Sequence, residues 1–467
     1  MPKHPLRRLL PALCLLCGLL CGCTAGTDPE QLTDDPDRID WDRSLGWVFD
    51  QSVIPEIHIN VSTDEWNRLL KAYDGNPGTK EYVSCDVKYI KDGESVEIPQ
   101  AALRLRGNTS RRRPEGGGGE KHSTSKPDWH HCHFILDFHH THKNAYHTIK
   151  GVRKVDLKWF KDDPSYVREV FCYDVFRRFG VWTAARDVYA RVWIKVENTS
   201  EAYFGVYGML EHIDREFIAS RREGFGDTSG SLWKCSYGAD LRRTSADFSP
   251  EDDKRDHVYE LKSSSLSFEE AREQLRDFIS KLGSLKGDRL YDWLASTMDI
   301  DLLLRTYAVN VAVGMWDDYW NNSNNYYLYV TREGKVFFIP FDYDNTLGTS
   351  YFCGVQSDSG RQDPYAWGSG DNPLILTVLQ NPRWKAQYRS YLKELCGGEG
   401  LCSPYAAIRR ISEWQGRIRP YVTNDTGEDC EIADLPAPWG NHPEYRLLSQ
   451  GKNNFFEVKA GVVSSLE

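Results

Sequence analysis

The chain has 467 residues, of which 40% are hydrophobic and 27% are charged, and its formal net charge is −10 at pH 7. This length allows one large domain or two ordinary domains with a hydrophobic core, and the composition is that of a soluble globular protein. The negative charge argues against non-specific binding of nucleic acid, because the phosphate backbone attracts basic proteins.

The first 23 residues have the features of an export signal that ends in a lipid-attachment site. Three basic residues precede an apolar run, Leu9 to Leu20, that is short for a transmembrane helix. The run leads into Cys-Gly-Cys and resembles a bacterial lipobox with Cys23 as the lipidated residue. We therefore predict a signal peptide over residues 1–22 and a membrane-anchored lipoprotein of a bacterial envelope, tethered by residues 23–43. A plain signal peptide cleaved nearby is the alternative.

Cysteine usage is compatible with export. Of the 12 cysteines, eight follow Cys23, and an even number in an exported protein permits disulfides. Cys396 and Cys402 are the most plausible local pair, because the glycines between them let the loop fold back. Among these eight cysteines, no pair has the spacing of a zinc site.

The segment after the tether is predicted to be rich in β-strands over residues 44–105, with a helix from Thr63 to Tyr73. A strand ends at Arg106 and leads into Gly-Asn-Thr-Ser. The arginine, amides and hydroxyls of this turn could meet phosphate, and a purely structural turn fits equally well. Residues 111–126 are low in complexity and rich in glycine, which predicts a mobile loop that ends at Lys126.

The next elements follow the order of a protein-kinase amino-terminal lobe. A strand over residues 152–159 carries Lys158, a helix over 166–179 carries Glu169, and two strands over 188–196 and 203–210 follow. In kinases a strand lysine pairs with a helix glutamate and holds the nucleotide phosphates. Glu169 is the helix acid in this order, while Lys158, Lys126 and Lys234 all remain candidates for the lysine.

Helices are predicted over 215–222, 268–282, 290–315, 373–379, 384–395 and 404–414, and a loop-rich stretch over 224–250. The third helix delivers a polar loop whose acidic and amide side chains lie within nine positions: Asp317, Asp318, Asn321, Asn322, Asn324 and Asn325.

A β-hairpin with strands over 326–330 and 336–340 follows this loop and ends at Asp342 and Asp344. Because a hairpin brings its outer ends together, we expect the two polar groups to meet. Carboxylate and amide oxygens suit Mg²⁺ or Mn²⁺. Such residues also occur simply as caps and turns. An unpaired Asp342 at the end of a buried strand, repelled by neighbouring carboxylates, would be costly, and we expect a divalent cation to remove that cost.

The chain resembles the spore-coat protein H kinase family (CotH-type), a secreted group of atypical protein-kinase-like proteins. The resemblance covers roughly residues 53–416 and departs from the family pattern at Asn324, where the family often has histidine. The matching motifs are Arg-Gly-Asn-Thr-Ser from Arg106, Asp163 to Glu169, Gly205 to Asp214, Asn-Tyr-Tyr-Leu-Tyr from Asn325, and Ile-Pro-Phe-Asp-Tyr-Asp-Asn-Thr-Leu-Gly from Ile339.

The resemblance implies an α+β, kinase-like fold of two lobes. The β-rich lobe would span about residues 44–210 and the mainly helical lobe about 215–416, with residues 417–467 as an extension packed on the helical lobe. It also implies transfer of the ATP γ-phosphoryl group to Ser or Thr of an exported protein with Mg²⁺ or Mn²⁺. A pseudokinase or surface adhesin of the same fold is the alternative, and a glycan binder is suggested only by the aromatic content.

The resemblance assigns roles to particular residues. Asp317 or Asp318 would orient the acceptor hydroxyl and take its proton. The metal would be held by Asn325 and Asp342, with help from Asp344. Residues implied or considered for nucleotide binding are Glu169, Lys158, Lys126, Lys234, Arg106 and Glu211.

Overall fold

The computed structural model describes residues 39–141, 148–250, 257–349, 358–368, 372–436 and 445–467. The predicted signal peptide and Cys23 lie outside these residues. Within the described ranges, no helix is long and apolar enough to cross a membrane.

Seven strands of the amino-terminal half close into a barrel in the order β1-β2-β3-β4-β5-β7-β6. Neighbouring strands are antiparallel except β1 and β6, which run parallel. Alternate side chains such as Leu105, Phe134 and Leu157 fill the barrel with a core of its own. The strands are β1 (Glu56–Val61), β2 (Val83–Lys91), β3 (Glu94–Arg106), β4 (His133–Asp137), β5 (Lys154–Lys158), β6 (Asp187–Val196) and β7 (Ala202–Glu211).

Helices α1 (Trp41–Val48), α2 (Thr63–Gly75) and α3 (Arg168–Arg178) accompany the barrel. Helix α2 begins where the sequence predicts, because the Ser62 side chain accepts a hydrogen bond from the backbone N–H of Glu65 at 3.2 Å. Helix α3 belongs to the second and larger core, which also holds the carboxy-terminal helices. It therefore lies between the barrel and the helical half.

A second sheet has five strands in the order β12-β11-β8-β10-β9. The predicted hairpin is confirmed with its predicted bounds, but the prediction of a loop-rich stretch over 224–250 is wrong for β8 and β9. Strand β9 has only three residues, and β8 is fixed by its pairing with a neighbouring strand on each side. The strands are β8 (Ser231–Cys235), β9 (Phe248–Pro250), β10 (Tyr259–Ser264), β11 (Tyr326–Val330) and β12 (Val336–Pro340).

The carboxy-terminal half is mainly helical, so the described chain is α+β with a β-rich first half, as predicted. The predicted helix over 290–315 is two helices, because Met298 is extended and Asp299 caps a new helix by accepting from the Leu302 N–H at 3.1 Å. The helices are α4 (Arg215–Ala219), α5 (Arg222–Phe225), α6 (Phe268–Ser284), α7 (Asp288–Thr297), α8 (Ile300–Ala312), α9 (Tyr319–Asn322), α10 (Pro373–Gln380), α11 (Pro382–Cys396), α12 (Pro404–Ile418) and α13 (Phe455–Ser464).

The expected disulfide between Cys396 and Cys402 is absent, and both thiols are free and buried. The loop between them is closed by backbone hydrogen bonds instead, including one from the Cys402 N–H to the Leu395 carbonyl at 2.8 Å. Both side chains belong to the larger apolar core.

The residues after α12 contact both halves of the molecule. The Glu428 carboxylate accepts two hydrogen bonds from Arg112 at 2.7 and 2.8 Å, beside the barrel. Helix α13 packs against α11 and α12. The carboxy-terminal segment thus links the barrel side to the helices.

Candidate active site

Lys158, the last residue of β5, is the centre of a buried charged group. Its neighbours Val155 and Leu157 face the barrel core, so its own side chain points outward toward α3. The Lys158 Nζ forms ion pairs with Glu169 and with Asp342, the latter at 2.6 Å. The side chains of Lys158 and Glu169 are only 5% and 7% exposed. The structure therefore brings Glu169 together with one of the three candidate lysines.

Glu169 is placed by the start of α3. Asp163 accepts hydrogen bonds from the backbone N–H groups of Val167 and Arg168, both at 2.9 Å, and also pairs with the Arg168 side chain. These contacts satisfy the free N–H groups of the first turn. The next residue, Glu169, is then directed at β5. The Asp-Pro-Ser-x-x-Arg-Glu motif, from Asp163 to Glu169, therefore caps the start of α3 and orients Glu169.

The other two lysines differ in position. Lys126 is exposed, and the segment over 111–126 is tied to α2 rather than being the mobile loop that was predicted. Arg113 pairs with Asp74 at 2.9 Å, and the buried Glu115 accepts from the Trp66 indole at 2.7 Å. Glycine content alone does not reveal such tertiary contacts.

Lys234 lies on β8, beside the β11–β12 hairpin. Burial opposes ionisation of Asp342, but the positive charges of Lys158, Arg106 and Lys234 hold the pKa of that carboxyl well below its usual range. Lys234 is therefore close enough to contribute positive charge to the site.

Arg106 ends β3 next to the same group. Its Nε donates to Asp156 at 3.0 Å, and its guanidinium lies 3.8 Å from Asp342. Asp156 also pairs with His212 at 2.7 Å. Arg106 is thus fixed by one carboxylate while it faces another.

Asp342 is therefore not the unpaired carboxylate that the sequence suggested. Lys158 and Arg106 supply positive charge to it, and its side chain is 29% exposed. The expectation that Asp342 is unpaired is wrong, because residues far away in the sequence already pair with it.

Glu211 lies in a separate ion-pair network. Its carboxylate accepts hydrogen bonds from Arg221 at 2.6 and 2.8 Å and from the backbone N–H of Arg186 at 3.1 Å. Burial raises the pKa of Glu211, but the charges of Arg221 and Arg186 outweigh burial and lower this pKa to about 2. This carboxylate joins the end of β7 to the residues around α4 and α5.

We expect Glu211→Gln to lower the free energy of unfolding by about 3 kcal/mol at pH 7, because Arg221 is left buried without a carboxylate. The pKa of Glu211 is lowered from 4.5 to about 2 in the folded protein. Its stabilising effect is therefore complete above about pH 5 and is lost as the pH falls toward 2. Urea unfolding at pH 7 and pH 3 tests this, with the exposed Glu413→Gln as control. Equal stability of wild type and Glu211→Gln at pH 7 would contradict it.

The polar loop distinguishes its two aspartates. Asp317 accepts hydrogen bonds from the side-chain amides of Asn322 at 2.6 Å, Asn324 at 3.1 Å and Asn325 at 3.0 Å. Burial raises the pKa of Asp317, these amides oppose the rise, and the charge of Asp342 adds to it. Asp317 is the partly exposed member of the pair.

Asp318 faces the protein interior, where it is 4% exposed. It caps α9 by accepting from the Asn321 N–H at 2.8 Å, and it also accepts from the Asn310 amide. Burial raises the pKa of Asp318 to about 7. Its contacts are those of a residue that shapes the loop.

Asn325 and Asp342 flank one end of the hairpin, where Tyr326 pairs with Pro340. Both have left-handed backbone, with φ of 54° and 62°, which Asn and Asp tolerate better than most residues. The Asn325 amide donates to the backbone and side chain of Asp317 at 2.8 and 3.0 Å, so its carbonyl oxygen points elsewhere. The expected meeting of the polar loop and the hairpin end is present.

The residues at this end suit a hard cation that arrives with phosphate. Among the described residues, no three His, Cys, Asp or Glu side chains are arranged to hold a metal by themselves. Mg²⁺ usually takes one or two carboxylates and completes its shell with water and phosphate oxygens. Asp342, the nearby Asp344 and the Asn325 oxygen are the groups that would form such a partial ligand set. Lys158 lies 3.7 Å from Asp344.

Several members of the group were missed by sequence reasoning. Asp156 lies two residues before Lys158 on the same outer face of β5, and this period-two spacing is a signal that could have found it. Asn310 in α8 and Tyr173 in α3 gave no such signal. Tyr173 accepts from the Asp342 N–H at 3.1 Å, and Asn310 accepts from the Tyr343 hydroxyl at 2.8 Å.

Sequence comparison places the whole group within a known family. Residues 103–446 match the family described as CotH kinase protein, and this range includes every site residue from Arg106 to Asp344. The chain belongs to the CotH kinase protein family. Three of the motifs recognised in the sequence contribute Arg106, Glu169 and Asp342 to the charged group around Lys158.

Three curated CotH-type relatives show how far the similarity extends. Inner spore coat protein H of Bacillus subtilis is 26% identical over 309 residues, which cover 62% of this chain and 76% of the relative. Spore coat protein homolog 1 of Rhizopus delemar is 23% identical over 358 residues, and Invasin CotH7 of the same organism is 22% identical over 361. The alignments with the two Rhizopus relatives each cover 74% of this chain but only 51% and 52% of the relatives, so the chain spans about half the length of these two proteins.

Proposed function

We propose that this CotH-family protein transfers the γ-phosphoryl group of ATP to a Ser or Thr hydroxyl of an exported protein, using a two-lobed kinase-like fold. The observation that carries the proposal is the buried Lys158–Glu169 pair that adjoins Asp342 at the end of a hairpin begun by Asn325. Protein kinases use a strand lysine, a helix glutamate, a metal-binding Asn and a metal-binding Asp in this relation. Family membership supports the same chemistry.

The nucleotide phosphates would lie against Lys158 and Arg106. Glu169 holds the Lys158 ammonium in place, and Asp156 holds the Arg106 guanidinium. Asn325, Asp342 and Asp344 would hold Mg²⁺ or Mn²⁺, which neutralises the negative charge that the phosphates carry during transfer. Positioning and charge neutralisation provide most of the rate in such reactions.

Asp317 would orient the acceptor hydroxyl and take its proton. Three asparagine amides fix its carboxylate, and its pKa is raised by burial, which makes it a better base than an exposed aspartate. Asp318 would support it indirectly, because it caps α9 and so fixes the shape of the loop.

The test is transfer of labelled phosphate by the chain from Asp28 onward, with Mg²⁺ or Mn²⁺. We expect label on the protein itself or on an added exported protein, and none when EDTA replaces the metal. Binding of nucleotide without any transfer would favour a non-catalytic surface binding protein, such as a pseudokinase or adhesin. That second candidate is favoured by one observation, the name of the relative Invasin CotH7.

We also propose that the protein is exported and held at a bacterial membrane through lipid on Cys23. Two relatives are named as spore coat proteins, which supports a location outside the cytoplasm. We expect Cys23→Ala to move the protein from the membrane fraction to the soluble fraction, with Cys21→Ala as the matched control. Retention of Cys23→Ala in the membrane fraction would show that another segment anchors the protein.

A further inference from the structure

Asp187, the first residue of β6, is a buried carboxyl group that the proposed mechanism does not use. Its side chain is on the outer face of the barrel and is 4% exposed. Its Oδ1 has no hydrogen-bond partner among the described residues. Such an isolated buried polar atom is costly unless a proton or a partner satisfies it.

Gly208 on β7 makes room for this carboxyl group. A Cβ atom at position 208 would lie 3.1 and 3.3 Å from the two Asp187 side-chain oxygens. Gly208 also pairs directly with Lys158 across the β5–β7 ladder. Residues paired in this way share a face of the sheet, so Asp187 packs beside the strand position that carries Lys158.

Glu169 presents a matching unsatisfied atom. One of its oxygens pairs with Lys158, while its Oε1 is buried and has no partner among the described residues. Burial and then the Glu169 charge raise the pKa of Asp187 well above its usual range, while Lys158 and Arg106 oppose the rise. Two neighbouring buried carboxyl groups that share a site hold one proton between them more readily than two negative charges.

We propose that Asp187 is protonated and donates a hydrogen bond to Glu169, so that it is a positioning residue for the Lys158–Glu169 pair. Glu169 is then held at both oxygens, by Lys158 on one side and by Asp187 on the other. Without the donor, the Glu169 carboxylate is free to turn, and the Lys158 ammonium loses its fixed position. The expected effect on ATP binding rests on the proposed function, whereas the hydrogen bond between Asp187 and Glu169 does not.

The hydrogen bond is tested by infrared difference spectroscopy of the folded chain at pH 7. Subtracting the spectrum of Asp187→Asn from that of wild type should reveal the carbonyl band of a protonated carboxyl group. Other protonated carboxyl groups cancel in the difference. The band should shift in a Glu169→Gln background, because its acceptor has changed. Absence of the band, or a band indifferent to Glu169→Gln, would overturn the proposal.

The positioning role is tested by ATP kinetics of two variants. Asp187→Asn keeps a donor for Glu169 and should retain a KM for ATP close to wild type. Asp187→Leu removes the donor and should raise that KM about tenfold while kcat changes less, since one hydrogen bond to a charged group is lost. Equal KM values for the two variants would overturn the positioning role. If wild type does not use ATP at all, the proposed function fails, and the infrared band still decides the hydrogen bond.

Discussion

Asp342→Asn is expected to abolish metal-dependent binding of ATP and to destabilise the free protein by about 2 kcal/mol, a typical value for a hydrogen bond to a charged group. The first effect follows from loss of the carboxylate that would hold the cation. The second follows from loss of the 2.6 Å ion pair with Lys158, which is 5% exposed and would keep Glu169 and the more distant Asp344 as its acidic partners. Arg106 would also lose a nearby negative charge.

Thermal unfolding with and without Mn²⁺–ATP measures both effects. Wild type should gain stability from the metal–nucleotide pair, since any ligand bound by the folded state alone raises the unfolding temperature. Asp342→Asn should begin from a lower temperature and gain nothing. Asp64→Asn, at an exposed position in the first turn of α2, is the matched control and should respond as wild type does. An Asp342→Asn protein that responds normally would place the nucleotide elsewhere.

Asp317→Asn is expected to keep metal-dependent ATP binding and to lose phosphoryl transfer by about 10²- to 10⁴-fold, the usual contribution of a general base. Asparagine preserves the shape of Asp317 and an oxygen that accepts from the surrounding amides, but it cannot take a proton from the acceptor hydroxyl. A loss of kcat with little change in the KM for ATP is the kinetic pattern expected for such a residue.

Asp318→Asn is the control for this prediction, because it changes the neighbouring carboxyl group in the same way. Asparagine is as good a helix cap as aspartate, so the loop and α9 should remain in place. Transfer by Asp318→Asn should stay within a few-fold of wild type. A large loss of transfer in Asp318→Asn, together with normal transfer in Asp317→Asn, would show that Asp318 rather than Asp317 takes the proton.

The local parts of the site could be predicted from the sequence. The β11–β12 hairpin consists of two short apolar runs around a polar turn, and its bounds are those expected. The bounds of the helix that carries Glu169 are predicted by Asp163 and Pro164 before it and by Gly180 after it. These features depend on hydrogen bonds between residues near each other in the chain.

The pairing of charges could not be predicted, because it depends on distant segments. Lys158 and Asp342 are 184 positions apart in the sequence. From the sequence, three lysines therefore remained candidates for the partner of Glu169, and Asp342 was expected to be unpaired. Asp187 carried no signal either, since its position beside Lys158 follows from the pairing of both β5 and β6 with β7.

We propose above that the group around Lys158 and Asp342 is a metal-dependent ATP site. Calorimetric titration of the wild-type chain with ATP, in Mn²⁺ and again in EDTA, tests it most directly. We expect saturable binding of ATP with Mn²⁺ and binding at least tenfold weaker in EDTA. No binding in either solution, or equal binding in both, would contradict it.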